Sequence, residues 1–142
     1  MKKLLLLVVV VLLSLAAGCD REKFAAHRAE RSKPKVAVGQ NSLMVRRAPY
    51  PNIEILPDGR MKVDDIEIPL DDAQRQLLQH SFVQLQILRQ NTLADRPAGQ
   101  AAQRSVPIIV PANMQPFPPE LVKRIPEFKD YGDALANPRA EP

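Results

Sequence analysis

Apolar and polar positions alternate along five short runs between residues 36 and 70. This period of two is typical of strands that bury one face and expose the other. Gly-Gln-Asn at 39–41 and Pro-Asp-Gly at 57–59 supply turn residues between runs. The alternating apolar residues are Val36 and Val38, Leu43 and Val45, Ile53 and Ile55, Met61 and Val63, and Ile66, Ile68 and Leu70. We therefore predict antiparallel strands, the last of which ends at Pro69 or lies at an edge, because proline cannot donate to a ladder.

A spacing of three and four residues between apolar side chains predicts a helix after these strands. Asp71 or Asp72 can cap it, and Gln74 lies three residues after Asp71, as in a capping box. One face carries Leu77, Leu78, Ser81, Phe82, Leu85 and Leu88, while Val83 and Ile87 widen the apolar stripe. Either the C-terminal segment or a partner protein would cover so wide a stripe. We expect Leu78 and Phe82 to be buried. The candidate partner-contact residues are Leu77, Val83, Ile87 and Leu88.

Residues 97–142 contain nine prolines, which remove backbone donors and prevent long helices. We predict the α+β class: a small antiparallel hairpin or meander packed on one main helix, followed by a proline-rich, partly irregular tail. The predicted divisions are a signal segment at 1–18, a charged tether at 19–34, a small domain at 35–96 and the tail at 97–142. The tether suits either a solvated helix or a flexible linker.

The N-terminus has the features of a secretory signal. Lys2 and Lys3 precede an apolar run from Leu4 to Leu15, and small residues follow at 16–18. A bilayer-spanning helix needs about 20 apolar residues, so this run is short for a stable span. A secretory signal is therefore favoured over an N-terminal membrane anchor.

The stretch that ends in Gly18 and Cys19 resembles a bacterial lipobox. The resemblance implies diacylglyceryl attachment to the Cys19 thiol, cleavage between Gly18 and Cys19, and acylation of the new amino terminus. Two or three acyl chains anchor a protein stably, whereas one alone does not. Asp20 resembles an inner-membrane retention signal. The expected location is the bacterial cell envelope, facing the periplasm, with the inner membrane slightly favoured over the outer. The alternative is an ordinary cleaved signal with an incidental thiol.

Composition and motif content argue against several kinds of site and partner. Loss of Lys2 and Lys3 with the signal lowers the formal charge from +4 to +2, so the basic balance of the precursor is no argument for nucleic acid. A single cysteine excludes an intramolecular disulfide. His27 and His80 lie far apart, and no phosphate loop or nucleophile elbow occurs. Turn and capping roles explain the carboxylates at 58–72. We therefore predict no catalytic residue, no metal site and no cofactor.

A second resemblance covers about 40 of the 142 residues, from Asn52 to about Asn91. The run LPDGRMKVDDIEIPLDDAQRQLL at 56–78 resembles the YggN-like bacterial envelope proteins. That family has a D-G-x-[LM]-x-[VI]-[DN] hairpin, an apolar strand, and a helix that opens near Q-R-x-L-L. The matching positions are Asp58, Gly59, Met61, Val63, Asp64, Gln74 and Arg75. The family usually has glycine where this chain has Asp65. It has no established activity, so the resemblance implies no catalytic residue.

These observations predict a non-enzymatic, lipid-anchored envelope protein that binds membrane lipid through acylated Cys19 and another protein through its small domain. Two alternatives stay open. One is a periplasmic immunity or inhibitor lipoprotein that neutralises a toxin, and the other is a structural component of an envelope secretion assembly. A neighbouring toxin gene would favour the first, and a place in an assembly operon would favour the second.

Overall fold

Helix α1, Gly18–Ser32, is the first element of the described chain. The computed structural model describes residues 18–97 and 105–142, so the predicted signal segment up to residue 17 lies outside it. The chain divides into two compact units, of which the first ends at Lys33 and the second is Pro34–Pro142. Of the two forms that the charged tether sequence allows, the structure has the helix, and residues 22–29 are exposed.

Seven short strands form one sheet in the second unit. They are β1 (Lys35–Val38), β2 (Leu43–Arg46), β3 (Ile53–Ile55), β4 (Met61–Val63), β5 (Ile66–Ile68), β6 (Val106–Pro107) and β7 (Pro138–Ala140). Their order across the sheet is β5-β4-β3-β2-β1-β7-β6. Neighbouring strands are antiparallel except β1 and β7, which are parallel. The five strands expected from alternation therefore form a continuous meander from β1 to β5.

The strand register separates a buried face of the sheet from a polar one. The central buried residues are Val36, Val45 and Ile53 in one row and Val38, Leu43, Ile55 and Met61 in the next. On the opposite face, Lys62 lies across from Glu54, with their Nζ and Oε2 atoms 3.8 Å apart. This division follows from the period of two in β2–β4, while at β1 the opposite face is covered as well, since Ala37 is 2% exposed.

Two tight turns fix the hairpins between β3 and β5. Gly59 has φ +78°, a conformation that glycine adopts without steric cost. Asp64 and Asp65 have φ values of 45° and 68°, the two positive values that a type I′ turn requires. The Asp64 Oδ1 atom accepts a hydrogen bond of 2.8 Å from the Asn52 backbone N–H. This bond ties the turn between β4 and β5 to the residue before β3.

The main helix, α2, spans Asp72–Ala94 and starts with the predicted capping box. The Gln74 N–H donates to Asp71 Oδ1 at 2.8 Å, and the Asp71 N–H donates to Gln74 Oε1 at 2.9 Å. Two of the amide groups at the helix start are thereby satisfied. The predicted burial of Leu78 and Phe82 is confirmed, since these residues are 0% and 7% exposed.

The proline-rich segment is part of the second unit and not a separate tail. Besides β6 and β7, it forms α3 (Pro119–Arg124), a 3₁₀ turn (Pro126–Phe128) and α4 (Gly132–Leu135). The division at residue 96 that we drew from the prolines is therefore corrected, because residues 34–142 make one unit. Residues 98–104 lie outside the described chain.

Two features explain why so many prolines are compatible with packing. Pro119 and Pro126 lie in the first turns of their helices, where an N–H has no intrahelical partner. The segment also supplies large apolar side chains: Leu121, Ile125 and Phe128 are fully buried in the core. With one sheet and its helices packed around this core, the predicted α+β class is confirmed.

Candidate functional site

Helix α2 has an outward face that the rest of the described chain leaves open. Val83 and Ile87 are 50% and 49% exposed and lie one helical turn apart. Helical spacing places exposed polar residues above and below them on the same side. We call the set the outward face of α2, and it consists of Gln76, Gln79, His80, Val83, Ile87 and Gln90.

The outward face contains no Asp, Glu, Lys or Arg residue. Between Arg75 and Arg89 the sequence contains no Asp, Glu, Lys or Arg, although a quarter of the whole chain is charged. A solvated surface helix normally has charged residues opposite its buried side. Depletion of charge around an apolar centre is instead the composition of protein–protein interfaces. The length of this uncharged run was a signal in the sequence that periodicity arguments overlooked.

Two of the four candidate contact residues lie elsewhere. Leu88 is 6% exposed and belongs to the core, so its assignment to a partner surface is corrected. Leu77 is half-buried and packs against the same core. Both lie on the side of α2 that meets the sheet and the C-terminal segment. Val83 and Ile87 are thus the two that the structure brings together on the surface.

Polar groups at the back of α2 fix its position. Arg89 is 9% exposed, and its Nε donates a 2.7 Å hydrogen bond to the Glu141 carbonyl oxygen. The Gln86 Nε2 atom donates to the Gly39 carbonyl oxygen at 2.6 Å. The first bond connects the helix to the residue after β7 and the second to the turn after β1. The outward face is therefore presented by a helix that is bonded to the chain at the ends of two strands.

An apolar cavity of about 240 Å³ lies between α2 and the C-terminal segment. Its lining includes Leu85, Val110, Met114, Phe117 and Leu135. Gln115 is the one polar residue among the lining residues, and none of them is titratable or nucleophilic. The cavity thus has space for an apolar group but offers no acid, base or nucleophile for a reaction.

The carboxylates of the hairpin region take part in local contacts. Asp58 accepts hydrogen bonds from the backbone N–H and the Nε of Arg60, at 3.1 and 2.7 Å. The side-chain bond to Arg60 is the main reason why the pKa of Asp58 lies below its ordinary value. Glu67 accepts a 3.3 Å bond from the other side of the same guanidinium. Within residues 18–97 and 105–142, no group of three or more His, Cys, Asp or Glu residues could hold a metal ion.

An aromatic cluster joins the β2–β3 loop to α4. The Arg47 Cζ atom lies 4.8 Å from the centre of the Tyr50 ring, and the Tyr50 and Tyr131 rings are 5.9 Å apart. Tyr131 donates a 2.6 Å hydrogen bond to the Pro51 carbonyl oxygen, and burial raises the pKa of its phenol. A buried phenol whose proton is bound to a backbone carbonyl has a structural role in the loop.

The predicted processing and sorting residues, Gly18, Cys19 and Asp20, lie in the first turn of α1. Their side-chain placement is outside the described part of the structure, so the predicted lipidation stays a prediction. Nowhere in the described ranges does a helix combine the length and apolar character needed to cross a bilayer.

Comparisons with known proteins add no assignment to this geometry. No protein-family model, no curated protein and no solved structure matched the chain.

Proposed function

We propose that this chain is a lipid-anchored protein of the bacterial cell envelope that acts by binding another protein through the outward face of α2. The observation that carries the proposal is the exposed pair Val83 and Ile87, at the centre of a helix face without charged residues. The lipobox-like sequence at Gly18 and Cys19 supports the anchor, and the expected side of the membrane is the periplasmic one.

The composition of this face favours a protein as the bound molecule. Burial of the two aliphatic side chains removes apolar surface from water, which stabilises the complex by about 25 cal/mol per Å² before the costs of association. The surrounding glutamines can donate and accept hydrogen bonds, and no formal charge of the face itself loses its hydration. A partner with an apolar centre and a polar, uncharged rim would complement it.

A lipid anchor would increase the effect of a modest affinity. Two proteins held on one membrane meet at a higher effective concentration than two that diffuse freely. A small apolar centre flanked by glutamine can therefore suffice for a specific contact between membrane-held molecules. Catalysis would need nucleophile, acid–base or metal groups in one site, and the outward face holds only His80 among such groups.

Site-specific photo-crosslinking in intact cells tests the binding surface. A photoreactive amino acid at position 83 or 87 is expected to give the same crosslinked protein. Position 109 is the matched control, because Ile109 is 86% exposed and lies outside α2. Adducts that are absent at 83 and 87, or identical at all three positions, would contradict the proposal.

Charge substitution then tests whether these side chains contribute to the binding free energy. Val83→Asp and Ile87→Asp are each expected to reduce recovery of that crosslinked protein about tenfold or more, the scale of losing one central interface contact. Ile109→Asp should leave recovery unchanged. Melting curves of all three variants check that each is folded. Full recovery with folded Asp variants would show that the partner binds elsewhere.

The anchor has its own test. Cys19→Ala is expected to abolish palmitate labelling and to leave the precursor uncleaved by the lipoprotein peptidase. Ser14→Ala, a change inside the signal that spares the thiol, serves as the control and should label normally. Equal labelling of Cys19→Ala and the unaltered protein would remove the lipoprotein interpretation.

A further inference from the structure

Helix α1 carries an exposed aromatic residue that the outward face of α2 does not explain. Phe24 is 70% exposed, and every residue from 22 to 29 is exposed. A large apolar side chain in the middle of a highly charged helix gains nothing from water contact. Its surroundings on the helix therefore indicate what kind of surface it meets.

Basic residues occur at helical spacing around Phe24. His27 and Arg28 follow it by three and four positions, on the same side of the helix. Positions 21 and 31, three before and seven after Phe24, are both arginine. At about 100° per residue, all four positions fall within about 60° of Phe24 around the helix axis. This side of α1 is the Phe24 face.

The acidic residues of the helix are distributed differently. Glu22 and Glu30 fall about 160° and 120° from Phe24, on the far side of the axis. Asp20 lies on the Phe24 side, but in the first turn, where the helix dipole favours an acidic residue. Beyond that turn, the Phe24 face has arginine and histidine and no acidic residue. Its charge is therefore complementary to an anionic surface.

We propose that the Phe24 face of α1 lies on the membrane itself, with Phe24 inserted at the headgroup level and Arg28 against anionic phospholipid. This inference rests on the proposed function, because lipidation of Cys19 would place α1 at the bilayer. Cys19 and Phe24 are five residues apart, which is about 7.5 Å along a helix. A helix in the interfacial plane keeps both within the headgroup region.

The consequence is that α1 lies parallel to the membrane surface and does not act as an extended spacer. A flexible or extended segment of fifteen residues could reach about 45 Å from its anchor. With α1 held flat, only Lys33 and Pro34 separate the membrane-bound helix from the first strand at Lys35. The second unit would then begin two residues after a helix that lies on the membrane.

The chain contains no tryptophan, which makes a single-tryptophan test available. The lipidated full chain with Phe24→Trp is reconstituted into vesicles of phosphatidylcholine with or without phosphatidylglycerol, each with brominated acyl chains as quencher. The matched control is Ala29→Trp, which lies about 140° around the helix from Phe24 and is also exposed. We expect a blue-shifted, quenched tryptophan at 24 and a solvent-like, unquenched one at 29, with the quenching dependent on phosphatidylglycerol.

Charge reversal tests the electrostatic contribution to membrane binding by the Phe24 face. Arg28→Glu in the Phe24→Trp background is expected to reduce quenching to the level of the position 29 control. One basic residue near an anionic surface changes membrane affinity about fivefold, and a reversal of its charge roughly doubles the change in binding free energy. High salt should act in the same direction. Quenching that is equal at both positions, or equal in vesicles without phosphatidylglycerol, would overturn the inference.

The outcome distinguishes this inference from the proposed anchor. If palmitate labels Cys19 but tryptophan 24 stays solvent-exposed, the anchor stands and the membrane-parallel helix is wrong. If palmitate does not label the protein and tryptophan 24 is still quenched on anionic vesicles, the helix binds lipid by itself and the anchor is wrong. If tryptophan 24 becomes shielded only when a protein partner is added, the Phe24 face binds protein and the inference is overturned.

Discussion

The turn between β3 and β4 packs so closely on α2 that it has no space for a methyl group. Gly59 has φ +78°, and a Cβ atom built on it would lie 2.1 Å from the carbonyl oxygen of Arg75 in the first turn of α2. The contact is with backbone, so no side chain can rotate away. Gly59→Ala must therefore move the turn away from the helix or distort both.

Two costs combine in this substitution. A residue with a Cβ atom at positive φ loses about 1–2 kcal/mol. Forcing an extra carbon into a packed site typically adds about 1–3 kcal/mol. We expect the free energy of unfolding of Gly59→Ala to fall by about 2–5 kcal/mol. At about 4 °C per kcal/mol for a unit of this size, the melting temperature should fall by about 8–20 °C.

Thermal and urea unfolding of the variants, followed by circular dichroism, measures the effect. Gly132→Ala is the control, because no atom lies within 4 Å of its added Cβ and its φ is not positive, and we expect it to stay within about 1 kcal/mol of the unaltered protein. Asp65→Gly isolates the conformational part: Asp65 has φ 68° and is exposed, so glycine should stabilise the hairpin by about 0.5–1 kcal/mol. A Gly59→Ala variant as stable as Gly132→Ala would refute the packing of this turn on α2.

Two further predictions concern the C-terminal segment and the response to acid. Phe128→Ala should cost about 3–5 kcal/mol in urea unfolding, since Phe128 is fully buried, and a change below 1 kcal/mol would mean that the segment is not part of the core. Because the folded-state pKa of Asp58 is lowered, its contribution is present above the ordinary pKa of about 4 and is lost as the pH falls through the folded-state value. Asp58→Asn should therefore lower the urea midpoint at pH 7, and this loss should shrink as the pH falls through the folded-state pKa of Asp58. A loss that is equal at every pH would count against the ion pair with Arg60.

The parts of the fold that were predictable depend on neighbours in sequence. The capping box joins Asp71 to Gln74 across three residues, and the hairpin at Gly59 joins strands separated by one short turn. Such interactions are determined within a few residues, so composition and period suffice to predict them. The same holds for the buried positions of Leu78 and Phe82, which follow from the helical period.

The place of the C-terminal segment was not predictable because its bonds are long-range. Val36 pairs in parallel with Pro138, about a hundred residues later, and the Asn137 Nδ2 atom donates to the Pro34 carbonyl oxygen at 2.8 Å. No local pattern identifies such a partner, and a run of prolines suggests irregular chain by itself. Packing against this segment also determines which side of α2 is buried. Leu88 is covered and Ile87 is not, although both are apolar and adjacent.

The two outer strands of the sheet, β5 and β6, make this protein a poor template for sheet growth. Since the Ile108 N–H donates inward to the Pro138 carbonyl oxygen, alternation directs the nitrogen of Pro107 to the free edge, where it has no hydrogen to offer. The type I′ hairpin likewise directs the nitrogen of Pro69 outward, just beyond β5. Two copies that met edge to edge would therefore form an incomplete ladder, because each outer strand lacks a hydrogen-bond donor where the ladder needs one. The prolines thus oppose polymerisation into fibres.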